Sequence, residues 1–191
     1  MVTPTGADGL LTASDVQRAA RILSEVGPIE LLRGVRRAMA QNMELAHAEV
    51  ASVTIMDDAD IEGWPAGTNT LMRLMRALVA GCRAEPSLNA WYDSEKIGRW
   101  LLKKIDIGIA VDTPDGLVVP VIKDVDRKGV LELSQELSVV SAKMRDGKIA
   151  PADIQGGTFS ISSLGGIGGT SFTPIVNAPE VAILGVVRSQ I

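Results

Sequence analysis

Leu71, Leu74, Met75, Leu78, Val79 and Cys82 recur at helical spacing, so residues 70–84 are predicted to form an amphipathic helix, with Pro86 beyond its end. The arginine-rich stretch "IELLRGVRRAMAQNMELA" carries Leu31, Val35, Ala38 and Met39 on one face and predicts a helix from about 29 to 46. Before it, Ser14 is placed to cap a short helix with Gln17 as its capping-box partner, ended by Gly27 and Pro28. Residues 129–146 are predicted to be helical as well. Other stretches repeat every second residue. In "EVASVTIMDDADI", Val53 and Ile55 face one way and Ser52, Thr54 and Met56 the other, which predicts a strand. Ile105, Ile107, Ile109 and Val111 alternate in the same way. Pro114 and Gly116 mark a turn, and "LVVPVI" returns as a second strand. The apolar run over 181–187 predicts a final buried strand. Helices and antiparallel strands mix in no strict βαβ order, so the fold class is α+β.

Composition narrows the function classes. The chain has 191 residues, enough for one sizeable core and a small appendage. It is 46% hydrophobic but only 3% aromatic, so aliphatic side chains must fill the interior. A net charge of -4, with no basic patch, argues against a nucleic-acid partner. No apolar run reaches the length of a membrane span, and the N-terminus lacks a signal peptide's basic-then-apolar order. The single cysteine, Cys82, excludes an internal disulfide and fits a reducing, cytoplasmic setting. Its place on the apolar stripe of the 70–84 helix marks it as a buried core thiol. One histidine, His47, excludes a multi-histidine metal site, so no metal is expected. No acidic partner or nucleophile flanks His47, which reads as a structural or surface residue.

The segment "GGTFSISSLGGIGGTSF", from Gly156 to Phe172, holds glycines and hydroxyls and no charge. Its glycine cluster is not a dinucleotide loop. Such a loop opens a helix, and here the prolines of "TSFTPIVNAPE" prevent one. Nor is there a G-x-S-x-G elbow. "TFSIS" alternates like a strand, with Phe159 and Ile161 on one side and Ser160 and Ser162 on the other. Two readings of the hydroxyls stand side by side: they satisfy loose backbone groups of a turn, or a serine at the strand end donates to a developing oxyanion.

Longer motifs carry a resemblance. "RGVRRAMAQNM", "LNAWYD", "IDIGIAVDTPDGLVVPVIKDV" and "GGTFSISSLGGIGGTSFTPIVNAPEVAILGV" resemble the catalytic domain of dihydrolipoamide acyltransferases, the core components of 2-oxo-acid dehydrogenase complexes. The resemblance runs from about Glu30 to the C-terminus. It implies a two-layer sandwich with a mixed sheet, like chloramphenicol acetyltransferase, and residues 29–191 as the acyltransferase domain. It implies transfer of an acyl group between a lipoyl thioester and coenzyme A, with the lipoyl group carried on a separate domain. It also implies a homotrimer or larger core, with the active site between subunits and the dehydrogenase components of the complex as partners. By position in "SISSLG", Ser162 matches the hydroxyl that hydrogen-bonds the oxyanion, and Ser163 a position lining the coenzyme A path. Asp112, in "AVDTPDG", matches an aspartate beside that channel, and Asn69 a polar position near the pantetheine arm.

Three departures accompany the resemblance. Residues 1–28 resemble part of a peripheral-subunit-binding domain, with Gly6, Gly9, Asp15 and Val16 matching, but Leu10 stands where arginine is usual. "DDADIEGWPAGTN" is shorter than in relatives, which carry an arginine there near the coenzyme's phosphates. Lys123, Arg127 and Lys128 are nearby by sequence, on what reads as a solvated charged loop. The family's base lies in D-H-R-x-x-D-G beyond the "AILGV" strand, and that motif does not occur in the 191 residues, so the sandwich is expected without its C-terminal portion. The chain taken alone is therefore expected to have little transferase activity; the alternative is a structural core subunit without chemistry of its own.

Overall fold

The computed structural model describes residues 2–189, which fall into two compact units, one up to Arg33 and one from Gly34 onward. The first unit is built around helix α1 (Ala13–Glu25). Its N-cap is Thr12 rather than Ser14, and Asp15 rather than Gln17 completes the capping box. The cap falls at Thr12 because the Asp15 carboxylate reaches the Thr12 backbone N–H (2.9 Å) and hydroxyl (2.8 Å) while also holding Thr5.

The second unit begins with helix α2 (Gly34–Glu49). This helix starts five residues later than the apolar spacing predicts. Gly34 adopts φ 55°, and residues 29–33 before it are exposed and outside the helix. Helix α3 (Thr70–Ala84) matches its predicted span and buries Met72, Met75, Val79 and Cys82. Helix α4 (Val130–Arg145) buries Leu133.

The strands are β1 (Ala90–Asp93), β2 (Gly98–Leu101), β3 (Ile107–Ile109), β4 (Val111–Thr113), β5 (Gly116–Val118), β6 (Val121–Ile122), β7 (Phe159–Ser163) and β8 (Ile183–Val186). The main sheet has the order β6-β3-β7-β8. Strand β6 is antiparallel to β3, whereas β3, β7 and β8 are parallel, so the sheet is mixed. The predicted return of "LVVPVI" is real but broken in two. β4 pairs with β5, and the chain then shifts so that β3 pairs with β6. Apolar side chains of α3 and α4 pack on the sheet face carrying Ile107, Ile122 and Ile161, which makes two layers.

Two strand expectations are corrected. Residues 50–60 contain no strand, and Val53 and Ile55 are each 89% exposed. Alternation alone does not make a strand when no neighbour supplies the ladder. The run over 181–187 is only half-buried, because β8 is the outermost strand of the sheet among the described residues. The β1–β2 hairpin has no forerunner in the sequence reading. Asp93 holds its turn, accepting from the Lys96 backbone N–H (3.0 Å), the Lys96 ammonium (2.9 Å) and the Trp100 indole (3.2 Å). Led by the contact with the Lys96 side chain, these partners lower the Asp93 pKa to about 2.

Candidate active site at the end of strand β7

Four hydroxyls lie along β7 and the residue before it, and they divide into two pairs. Thr158 is buried. Its hydroxyl accepts from Asp106 N–H (3.0 Å) and donates to Asp106 C=O (3.1 Å), tying the entrance of β3 to that of β7. Ser160 is 1% exposed and lies against Gly108, where a Cβ would come within 2.7 Å of the serine oxygen. Ser162 is half-buried and Ser163 exposed, and neither hydroxyl has a partner among the described residues. Thr158 thus satisfies backbone groups as the turn reading expects, whereas the Ser160 hydroxyl packs against Gly108 without a hydrogen bond and those of Ser162 and Ser163 are unpartnered.

Register places Asp112 and Ser162 beyond the same strand pairing. Ile109 pairs with Ile161 and the Ala110 N–H donates to the Ile161 carbonyl (2.8 Å), so Asp112 and Ser162 both follow at the C-terminal end of parallel strands. Asp112 is exposed on β4, paired with Leu117. Ser162 is flanked on the other side by Gly185 of β8. Beyond Ser163 the glycines fold into a tight turn. Gly168 takes φ 83°, and a Cβ on Gly169 would lie 2.9 Å from the Leu164 side chain. The turn closes through Gly169 N–H to Leu164 C=O (3.1 Å) and Arg188 N–H to Gly169 C=O (3.0 Å). Glycine is needed here for close approach, and among the described residues no helix follows that would hold a phosphate.

Asn69 has a structural task. It is the N-cap of α3, and its side-chain oxygen accepts from Met72 N–H (3.1 Å). The basic residues near the loop are largely engaged. Lys123 donates to Gln155 C=O and lies 3.7 Å from Asp106, while Lys128 pairs with Glu136. Arg127 is exposed. His47 is exposed in the last turn of α2. Among the described residues no group of three His, Cys, Asp or Glu side chains could hold a metal ion, and no helix is long and apolar enough to cross a membrane.

Residues 27–191 match the model of the 2-oxoacid dehydrogenases acyltransferase catalytic domain. The chain belongs to this family. The acetyltransferase component of the pyruvate dehydrogenase complex from Cupriavidus necator is 46% identical over 173 residues, covering 83% of this chain. The chain spans only 31% of the length of that relative. Among solved structures, dihydrolipoamide acetyltransferase of Azotobacter vinelandii superposes with TM-score 0.79 and 37% identity, over 88% of this chain and 76% of that one. That work concerned the role of a serine, a histidine and an asparagine in the catalytic mechanism. A truncated catalytic core of the 2-oxoacid dehydrogenase multienzyme complex from Thermoplasma acidophilum gives TM-score 0.76 and 38% identity, over 85% and 80% of the two chains. The α+β sandwich with a mixed sheet is thus the fold of acyltransferase cores.

Sequence reasoning passed over one residue, Glu180. It is buried to 2% exposure beside β7, and the acid at the head of an otherwise apolar run, "PEVAILGVV", was the available signal.

Proposed function

We propose that this chain is an acyltransferase module of a 2-oxo-acid dehydrogenase complex, moving an acyl group between a lipoyl thioester and coenzyme A. The observation that carries the reading is the unpartnered Ser162 hydroxyl at the open end of β7. In the proposed reaction the sulfur of one thiol bonds to the thioester carbonyl carbon. The carbonyl electron pair moves onto oxygen, and Ser162 O–H donates to that oxyanion. Collapse re-forms the C=O bond, breaks the other C–S bond and returns the proton to the departing thiolate. A donor placed at the oxyanion stabilises charge that exists only in the transition state. Asp112 and Ser163, at the same strand ends, line the approach of the coenzyme A arm in this reading. Asn69 contributes from the α3 N-terminus through its amide nitrogen.

The attacking thiol must lose its proton, and a positioned base contributes about 10²–10⁴-fold. His47 is exposed at a helix end, without a neighbour that marks it as a base. The proposal therefore places the base on the D-H-R-x-x-D-G motif of the family, outside these residues. Transfer from acetyl-coenzyme A to dihydrolipoamide tests this. The 191-residue chain should turn over little, and a version extended by that motif should be active. In the extended form Ser162→Ala should lower kcat by about 10²–10³-fold. Robust turnover by the shorter form, lost on His47→Ala, would overturn the assignment.

Association follows from the same reading. The unpartnered Ser162 hydroxyl, read as facing a neighbouring subunit, and the multienzyme cores among the structural relatives support assembly into a core, read here as a trimer or larger, with the dehydrogenase components as further partners. Residues 1–28 are taken as a partial subunit-binding segment.

A further inference from the structure

Glu180 is a buried acid that the proposed chemistry does not use. Its residue forms an antiparallel bridge with Trp91 of β1. One carboxylate oxygen, Oε1, accepts from the Asn177 amide at 3.4 Å and fills the space over Gly157, where a Cβ would lie 2.8 Å away. The other, Oε2, is buried without a partner. The Ser160 hydroxyl is also buried without a well-formed hydrogen bond, and it sits close enough to Glu180 to influence its titration. A single hydrogen bond between these two oxygens would satisfy both; the serine carries its own proton, so what favours the acid as donor is its burial without a counter-charge.

No charge compensates an ionised Glu180. Strands β3, β6 and β7 and residues 170–179 bring no charged side chain to it. On β1, Asp93 is taken up by Lys96. Arg99, across β2, is paired in register with Tyr92 rather than Trp91. At the 155–158 turn, Lys123 is held by Gln155 and Asp106. Among the described residues no cationic nitrogen lies within 4.0 Å of the Glu180 carboxylate. Burial pushes its pKa up to about 7, with Ser160 and Asn177 pulling in the other direction.

Three segments converge on this carboxyl. The Trp91 indole donates to Gly157 C=O (2.8 Å), and Tyr92 N–H donates to Pro179 C=O (2.8 Å). The β1–β2 hairpin is thereby joined both to the 177–180 turn and to the entrance of β7. We propose that Glu180 is held as a neutral acid donating to the Ser160 oxygen, a pH-sensitive latch that fastens the hairpin and the 177–180 turn to β7. The inference stands independently of the proposed catalysis.

The sign follows from linkage. A carboxyl whose folded pKa is raised from 4.5 to about 7 contributes stability that is full below the lower value and lost as pH rises through the upper one. In Glu180→Gln the amide donates to Ser160 at every pH. Urea unfolding of the full chain and of Glu180→Gln at about pH 5 and about pH 8 reads this difference. The ratio of their folding constants should shift by about 10²-fold in favour of Gln at the higher pH, one decade per pH unit across the window. An equal ratio at both pH values overturns the latch. Infrared spectra of the unsubstituted protein give a second readout that needs no variant. At about pH 6 a protonated carboxyl C=O band is expected, and its absence would equally overturn the proposal.

Discussion

In the first unit the Asp15 carboxylate accepts from Thr5 N–H (3.0 Å) and hydroxyl (2.6 Å), takes two further bonds from Thr12, and pairs with Arg18. These partners, the Thr5 hydroxyl first, hold its pKa well below the usual carboxylate range. A depressed folded pKa gives stability that is present above the ordinary value and lost as pH falls through the folded one. The α1 cap is therefore expected to weaken progressively as pH falls below the ordinary carboxylate range, whereas Asp15→Asn should start weaker at neutral pH and lose this pH dependence. Amide resonances of residues 13–25, followed from neutral to acid pH, distinguish the two. The Asn69 cap on α3 makes a comparable test: Asn69→Ala should cost about 1 kcal/mol through the lost bond to Met72 N–H, whatever Asn69 does for a ligand. Asp112→Asn, by contrast, touches an exposed side chain on β4 and should leave stability within about 0.5 kcal/mol. Its effect is expected in the KM for coenzyme A of a catalytically extended form.

At the scale of elements, packing density sets the penalties. Met75 and Leu133, both 0% exposed, join α3 and α4 to the sheet. Truncating either to alanine should cost about 2–5 kcal/mol in urea unfolding. Gly108→Ala acts in the opposite sense, by overfilling. Its Cβ would lie 2.7 Å from the Ser160 oxygen and 2.9 Å from Val119, which should cost about 1–3 kcal/mol. Helices α3 and α4 were legible because their apolar positions repeat over three to four turns and the core reads that repeat directly. The 50–60 segment was not, because its alternation says nothing about whether a partner strand stands beside it. The β1–β2 hairpin was missed for a related reason: its turn is built by Asp93 contacts and by Ile97 at φ 51°, without a glycine pair to announce it. At the site, the motif resemblance singled out Ser162, but only the structure separates its unpartnered, half-buried hydroxyl from that of Thr158, which is bonded to the Asp106 backbone. Spacing cannot show which hydroxyls are already occupied.

At the scale of the whole molecule, the outer edge of β8 carries weight. Residues 181–187 contain no charged side chain, and no neighbouring strand covers that edge among the described residues. Uncharged open edges recruit further strands. Besides the proposed trimer, sedimentation at rising concentration is expected to reveal larger, open-ended species. Val187→Lys, at a position 37% exposed just past β8, should suppress those species while leaving the trimer and the far-ultraviolet spectrum unchanged. Persistence of the larger species in that variant would locate the contact elsewhere.

Cys82 sits on the buried face of α3 in the core of the second unit at 4% exposure, and burial raises its pKa. It is the only thiol in the chain. An alkylating or disulfide reagent can therefore react at one atom only, and that atom becomes available when α3 lifts from the sheet. The labelling rate in native buffer, divided by the rate in denaturant, reads the population of the opened form without perturbing the protein. The core thus contains its own clock. Variants such as Gly108→Ala or Glu180→Gln can be ranked by it at micromolar amounts, under conditions where association would blur a melting curve.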